Sequence, residues 1–298
     1  MSKLESLSRQ IYAINYLINR PASLKEIMNH LQQKEVQDDR SYVVSQRTFE
    51  RDVREIKQLF GYEIKFNRKL KKYKIENQLE NRAGQKVMEA FDMLNATNQS
   101  SKVKEYLMFE QRKPQGTEHF QVILKCITEK KMLSFEYQKF WDDTSSHRVV
   151  EPYALREFKS RWYLVAKEFN DEKDTIKTFG LDRLSNPELK SKSFIYPDKA
   201  ILKKKFDYCF GVITPDKGEP ENIELSFTPF QGKYIKTMPL HPTQKVLKDN
   251  DKECIISLKL FNTIDFRMEI LSYGKEMKVL KPKSLAKQID EMHRSAIR

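Results

Sequence analysis

Glycine is scarce, with eight in 298 residues and no two within six positions of each other. That spacing excludes G-x-G-x-x-G and G-x-x-x-x-G-K, because both cluster glycines to bring backbone amides up to phosphate. The three cysteines, Cys126, Cys209 and Cys254, are far apart and form no C-x-x-C pair. Neither a disulfide framework nor a cysteine zinc site is expected, and a reducing cytosol fits. No apolar run approaches the ~18 residues of a membrane span. Met1 to Gln10 carries Glu5 where a signal peptide has its apolar core, so a soluble, cytoplasmic chain with no membrane contact is expected. The five histidines, His30, His119, His147, His241 and His293, show no H-E-x-x-H or H-x-E spacing, and G-x-S-x-G is missing. Asp38-Asp39 and Asp142-Asp143 sit in polar stretches and read as solvated loops rather than shared metal ligands. No catalytic residue, metal site or cofactor is expected; a metal-dependent nucleic-acid-processing enzyme stands only as a rival.

Positive charge, by contrast, is abundant. Lys+Arg number 55 against 42 Asp+Glu, a formal net charge of +13 that favours polyanionic partners. A hydrophobic fraction of 39% leaves enough apolar residues for packed cores. The length is about twice the ~150 residues of a single-domain prior, so two or three domains are expected.

The first segment reads as helices followed by a basic hairpin. Leu7, Ile11, Ile14, Leu17 and Ile18 form one helical stripe, stopped by Pro21. Ser23 and Glu26 have capping-box spacing for a short second helix, with Leu24, Ile27, Met28 and Leu31 inward, ahead of a polar loop through Asp38 and Asp39. Ser45 is placed to cap a third helix with Phe49, Val53, Ile56 and Phe60 inward and Gly61 at its left-handed end. On its other face Arg47, Arg51 and Arg54 project beside Gln46 and Thr48. That stripe reads equally well as a groove-reading face or as a solvated face paired with Glu50, Asp52 and Glu55. The context that follows favours the first reading: strands Tyr62–Phe66 and Tyr73–Ile75 flank the turn Asn67-Arg68-Lys69-Leu70-Lys71-Lys72. Ten basic residues face four acidic ones between positions 43 and 75. Three helices and a basic hairpin make a winged helix-turn-helix, whose recognition helix enters the major groove while the wing reaches phosphate. The expected DNA contacts are Ser45, Gln46, Arg47, Thr48, Arg51 and Arg54 on the helix, and Arg68, Lys69, Lys71 and Lys72 on the wing.

A connector follows, with a helical stripe of Val87, Phe91 and Leu94, a polar break from Asn95 to Ser101, and a boundary at Lys113-Pro114-Gln115-Gly116. Phe120, Ile123, Leu124 and Ile127 then form an amphipathic helix, after which Leu133, Phe135 and Tyr137 alternate with Ser134 and Glu136 at strand period. Strand candidates at 148–151, 153–156, 161–167 and 176–179 predict a small antiparallel barrel.

Trp162-Tyr163-Leu164-Val165-Ala166 and Thr178-Phe179-Gly180-Leu181-Asp182-Arg183-Leu184 resemble the two signatures of the WYL-domain transcriptional regulators. Arg148-Val149-Val150-Glu151-Pro152-Tyr153-Ala154-Leu155 and Ser134-Phe135-Glu136-Tyr137 are similar to that family's earlier strands. Ile223 to Phe227, Pro239 to Gln244, Ile270 to Gly274 and Val279 to Pro282 resemble the extension that commonly follows a WYL domain. The resemblance implies an α+β multidomain chain: a winged helix-turn-helix at 1–76, a helical linker or dimerisation region at 77–117, an SH3/Sm-like WYL β-barrel at 118–195 that senses an effector, and an α+β C-terminal extension at 196–298 with dimer contacts. It further implies a homodimeric regulator controlled by an anionic nucleotide or nucleic-acid-like ligand, in some relatives a repressor beside phage-defence genes. Gly180 stands where many relatives carry arginine, and Lys177 where they carry a basic residue.

Physically, Trp162, Leu164 and Ala166 share one strand face and read as packing. Arg148, Arg156, Arg161 and Arg183 are ligand candidates because guanidinium groups bind phosphate or carboxylate bidentately. Tyr137 and Tyr153 are candidates for stacking or donating hydroxyls, and His147 for a switchable charge. If Asp182 neutralises Arg183, Arg148 and Arg161 are the stronger candidates. An activator of the same architecture, or an RNA- or single-strand-binding module whose main surface is the barrel, are the alternative functions.

Overall fold

The computed structural model describes residues 2–79, 81–98, 108, 115–141, 144–169, 175–215 and 218–297. Asp142-Asp143, Lys113, Pro114 and the end of the polar stretch after Asn98 lie outside the described residues. The chain divides into two compact units, Met1–Glu110 and Gln111–Arg298.

The first unit begins with α1 (Lys3–Asn19), α2 (Leu24–Asp38) and α3 (Gln46–Phe60). α1 and α2 each start on a capping box, Ser2 with Glu5 and Ser23 with Glu26, in which hydroxyl and carboxylate satisfy the first exposed amides. Ser45 caps α3, and Gly61 closes it at φ +79°, where a Cβ would lie 2.7 Å from the Leu79 carbonyl oxygen. Ile11, Ile14, Ile27, Leu31, Phe49 and Ile56 are fully buried in one core. Two expectations are corrected here. Ile18 is half exposed, because the inward position of the last turn belongs to Leu17. α2 is longer than its apolar stripe implied, since its polar second half projects into solvent and ends on left-handed Asp39.

β1 (Tyr62–Asn67) and β2 (Lys72–Gln78) form the hairpin, with Phe66 opposite Tyr73 and Asn67 opposite Lys72. Ala22 and Tyr73 exchange both backbone hydrogen bonds, at 2.9 and 2.7 Å, which fastens the hairpin to the α1–α2 connection. α4 (Arg82–Asn98) packs on the same core through Met88 and Phe91. Val87 and Leu94 stay partly exposed, so the inward face is turned from the one expected.

The second unit opens with α5 (Phe120–Glu129) and continues as β3 (Lys131–Gln138), β4 (Ser145–Phe158), β5 (Arg161–Glu168), β6 (Ile176–Gly180) and β7 (Leu184–Ser193). The two strands expected at 148–151 and 153–156 are one strand, β4, which runs through Pro152 with a register irregularity between Pro152 and Ala154. All pairings are antiparallel, in the order β6-β5-β4-β3-β7. The two edge strands are joined by a single 3-10 turn, Leu181–Arg183. A flat sheet of this order would hold its edges ~19 Å apart. A three-residue 3-10 turn rises only ~6 Å, so the sheet must curl on itself. Its interior holds Leu133, Phe135, Val150, Leu164, Ala166 and Phe179, with Ile123 and Cys126 of α5 packed in.

Helix α6 (Lys199–Phe206) leads to β8 (Glu221–Phe227), α7 (Pro229–Thr237), β9 (Lys245–Asp249), β10 (Cys254–Leu260), α8 (Ile264–Leu271), β11 (Met277–Lys281) and α9 (Lys283–Ser295). The sheet order β11-β8-β10-β9, wholly antiparallel, is the split β-α-β arrangement. Arg156 of β4 donates from Nε to the Gly211 carbonyl at 3.0 Å, and the Asp265 carboxylate of α8 accepts from the Val212 and Ile213 amides. The connector between the two sheets is thereby held from both sides.

Candidate nucleic-acid interface and cationic cavity

Whether the arginines of α3 are free for a ligand depends on where the neighbouring carboxylates point. Asp52 turns inward: its carboxylate takes a two-pronged bond from Arg9 of α1, 2.7 Å from Nε and 3.0 Å from Nη2, and both side chains are 1% exposed. Glu55 accepts from Gln10 at 2.6 Å and lies 3.7 Å from Arg51, a loose surface pair. Glu50 accepts from Gln46 at 2.9 Å. Arg47 and Arg54 are exposed and have no ion pair among the described residues. Of the three carboxylates that could neutralise the stripe, Asp52 and Glu50 bond other residues, and Glu55 reaches only Arg51, loosely. Ser45 and Thr48 are joined by the helix cap, with the Thr48 amide on the Ser45 hydroxyl.

The turn before α3 is fixed with equal care. One Glu35 oxygen accepts the amides of Tyr42 and Val43. Tyr12 and Tyr42 both donate to a single Asp38 oxygen, at 2.6 and 2.8 Å. Burial, aided by that carboxylate, pushes the Tyr42 phenol up to about 12 and Tyr12 upward as well. The Arg9–Asp52 pair is the feature that the sequence reading missed; no helical period distinguishes an arginine aimed into the core from one in solvent. Buried pairs of this kind set position more than they add stability.

On the wing, Arg68, Lys69 and Lys71 are exposed, with no ion pair among the described residues. Lys72 lies 3.6 Å from Glu26, while Lys65 and Lys74 share Glu76 at 2.8 and 3.1 Å. The Asn67 side-chain oxygen accepts the Lys69 and Leu70 amides and holds the turn. Arg47, Arg54, Arg68, Lys69 and Lys71 are thus the cations of helix and wing without an ion pair among the described residues, available to grip a phosphate backbone.

In the second unit, only some of the expected ligand residues come together. Tyr137 and Arg183 do: the guanidinium carbon lies 5.3 Å from the Tyr137 ring centre and 4.9 Å from that of Phe140. The Tyr137 hydroxyl accepts from the Gly180 amide at 3.2 Å, and burial raises its phenol. A cavity of about 380 Å³ opens beside them, lined by Gln138, Lys139, Phe140, Ser145, Asp182, Arg183, Leu184 and Ser185. Asp182 is bonded directly to Arg161 and lies 3.8 Å from the Arg183 Nε, which is buried without a hydrogen-bond partner. Asp182 thus serves both arginines, closely for Arg161 and at longer range for Arg183, whose Nε is left without a hydrogen bond. Gly180 makes this possible, because a Cβ there would fall 2.6 Å from Arg183 Nη2 and 2.6 Å from Asp182.

The remaining candidates lie apart from the cavity. Arg148 and Lys177 both pair with Glu168, and His147 lies 2.9 Å from Glu136. Tyr153 is buried among Phe194 and Tyr196 and donates to Glu151. Arg156 covers the Phe206 ring at 4.6 Å and serves the connector described above; burial lowers its pKa from the usual guanidinium value. Phe140, 74% exposed, and Trp141, 79% exposed, were passed over in the sequence reading, although two adjacent aromatics in a polar turn were a usable signal. Among the described residues no cluster of side chains could hold a metal ion, and no helix is long and apolar enough to cross a membrane.

Comparison with curated proteins gives no match. Among solved structures the chain is similar to proteasome accessory factor B/C (PafBC) of Arthrobacter aurescens, at 18% identity and a TM-score of 0.34, over 96% of this chain and 46% of that one. It is also similar to a CRISPR Cas-related protein, at 13% identity and a TM-score of 0.40, over 62% of this chain and 54% of the other. The chain therefore spans about half the length of either structure. The family model for the WYL domain matches residues 118–189, which hold β3 to β6, the Arg183 turn and most of β7, and the model for the WCX domain matches residues 219–297, the second sheet and its helices. With both domains in this order, the chain belongs to the WYL-domain regulator family.

Proposed function

We propose that this protein is a DNA-binding transcriptional regulator that acts as a homodimeric repressor under the control of an anionic, nucleotide or nucleic-acid-like ligand. The observation that carries the DNA reading is the set of exposed cations on α3 and the wing that lack acid partners: Arg47, Arg54, Arg68, Lys69 and Lys71. α3 enters the major groove with Ser45, Gln46, Arg47, Thr48, Arg51 and Arg54 at its exposed face, and the wing cations hold phosphate. Paired copies contact half-sites spaced by one or more helical turns. The ligand reading rests on Arg183, which lines a cavity together with Lys139 and whose Nε makes no hydrogen bond although Asp182 lies 3.8 Å away. Phe140, which lines the cavity, and the exposed Trp141 next to it in the chain offer faces on which a base can stack, which favours a nucleotide-like ligand over a bare anion. The ligand acts as a switch only by binding one dimer geometry better than the other. Control of a phage-defence operon follows from the family resemblance alone.

The test is competition between a duplex and a single strand of the same sequence, combined with sequencing of genomic fragments that co-purify with the protein. Duplex preference, lost in Arg47→Ala/Arg54→Ala, supports the reading. Preference for the single strand, unchanged by those substitutions, overturns it and leaves the WYL cavity as the nucleic-acid surface.

A further inference from the structure

The wing tip carries one residue that phosphate binding does not explain. In the turn between β1 and β2, where polar residues are the rule, Leu70 is 61% exposed. It does not belong to the apolar core of the first unit, to which the hairpin contributes Tyr62, Ile64 and Tyr73, with Phe66 resting on the Tyr73 ring at 4.9 Å. Arg68, Lys69, Lys71 and Lys72 flank it in the chain. Its position is set rather than loose. Asn67 accepts the Leu70 amide at 3.1 Å, Lys71 takes the left-handed conformation at φ +50°, and Tyr73, just beyond the turn in β2, exchanges both backbone hydrogen bonds with Ala22. The result is an apolar side chain held outward at the apex of a rigid cationic finger.

We propose that the wing tip seats in the minor groove of the duplex and that Leu70 is its apolar wedge; this rests on the duplex-binding reading above and goes beyond it. The chemistry of the two surfaces matches. The minor groove, ~6 Å wide, is too narrow for a helix but admits a turn. Phosphates of both strands line its rims, which suits cations on either side of the tip, while its walls are the apolar faces of deoxyribose. Leucine is among the residues that proteins press between base steps from this groove. The obstacle on its floor is the 2-amino group of guanine, the only exocyclic group that separates G·C from A·T there. A leucine pressed against that amino group would strip it of water and return no hydrogen bond.

Inosine isolates this contact, since an I·C pair presents the major-groove oxygen and nitrogen of a G·C pair but lacks the 2-amino group. The experiment measures binding of the full chain to alternating dI·dC and dG·dC duplexes of equal length across a salt series. The native protein is expected to bind dI·dC roughly fivefold more tightly. Leu70→Ala brings the two duplexes to parity and leaves the salt dependence unchanged, since a methyl-bearing side chain releases no counterion. Leu70→Met, apolar and flexible, retains most of the preference. Lys69→Ala flattens the salt dependence by about one contact and keeps the preference. Equal binding of both duplexes by the native protein, or an undiminished preference in Leu70→Ala, overturns the wedge. Failure of the native protein to hold either duplex overturns the duplex reading beneath it.

Discussion

The salt dependence of duplex binding can be worked from the ion-pair pattern. Each phosphate contact releases condensed counterion and contributes about −0.9 to the slope of log affinity against log salt. Five cations of one protomer, Arg47, Arg54, Arg68, Lys69 and Lys71, have no acid to leave, which predicts a slope of about −4.5. Arg51 and Lys72 sit in surface pairs at 3.7 and 3.6 Å. Such pairs are weak enough to exchange for phosphate, which steepens the bound to about −6 for one protomer. Two protomers on adjacent half-sites double these values. From 50 to 200 mM salt, a single protomer then loses roughly 500-fold in affinity. Fluorescence anisotropy with a 30-base-pair duplex measures this directly, and Arg68→Ala/Lys69→Ala/Lys71→Ala should flatten the slope by about 2.7 per protomer. A slope shallower than about −2, or a triple variant with the native slope, would refute the argument that unpaired cations make the interface.

Three further outcomes follow from the geometry. Asp52→Ala strands the buried Arg9 charge and should destabilise the first unit by about 3–5 kcal/mol in urea unfolding followed by helical circular dichroism. Arg9→Leu/Asp52→Leu, which removes both charges, should recover most of that loss, and a double variant as unstable as the single one would contradict it. Gly180→Ala places a Cβ 2.6 Å from the Arg183 guanidinium and should turn it off the Tyr137 and Phe140 rings. Titration with a short single-stranded oligonucleotide, read by tryptophan fluorescence, should show roughly tenfold weaker binding with the duplex slope intact, the size of one charge-assisted contact; undiminished binding would remove Arg183 from the ligand site. Burial raises the thiols of Cys126 and Cys209 to about 11, so both should react with a thiol reagent at pH 8 only after denaturation, and rapid native labelling would contradict their packing.

The N-terminal elements were legible because their signals are local. The capping box at Ser23, the Ser45 cap and the Gly61 stop act within one turn of chain, and the run from Arg68 to Lys72 is dense enough to read without a fold. The strands of the WYL sheet were legible by alternation and by family likeness, but β7 was not, since a sequence such as Leu-Ser-Asn-Pro-Glu-Leu-Lys carries no clean period. Pro152 broke β4 in the reading but not in the fold, where a register irregularity beside it absorbs the missing donor.

By itself, the sequence determined the N-terminal helices and hairpin, most strands of the first sheet, where positive charge is concentrated, and that a WYL domain is present, because propensity, capping and composition act between near neighbours. Tertiary structure alone decided which charges are available. Asp52 looks like a partner for Arg51 until α1 brings Arg9 to it, and Asp182 looks like a partner for Arg183 alone until β5 brings Arg161 to share it. A carboxylate neutralises the cation it can reach in space, and residues 43 and 21 positions distant in the chain can be reached only once the fold has formed.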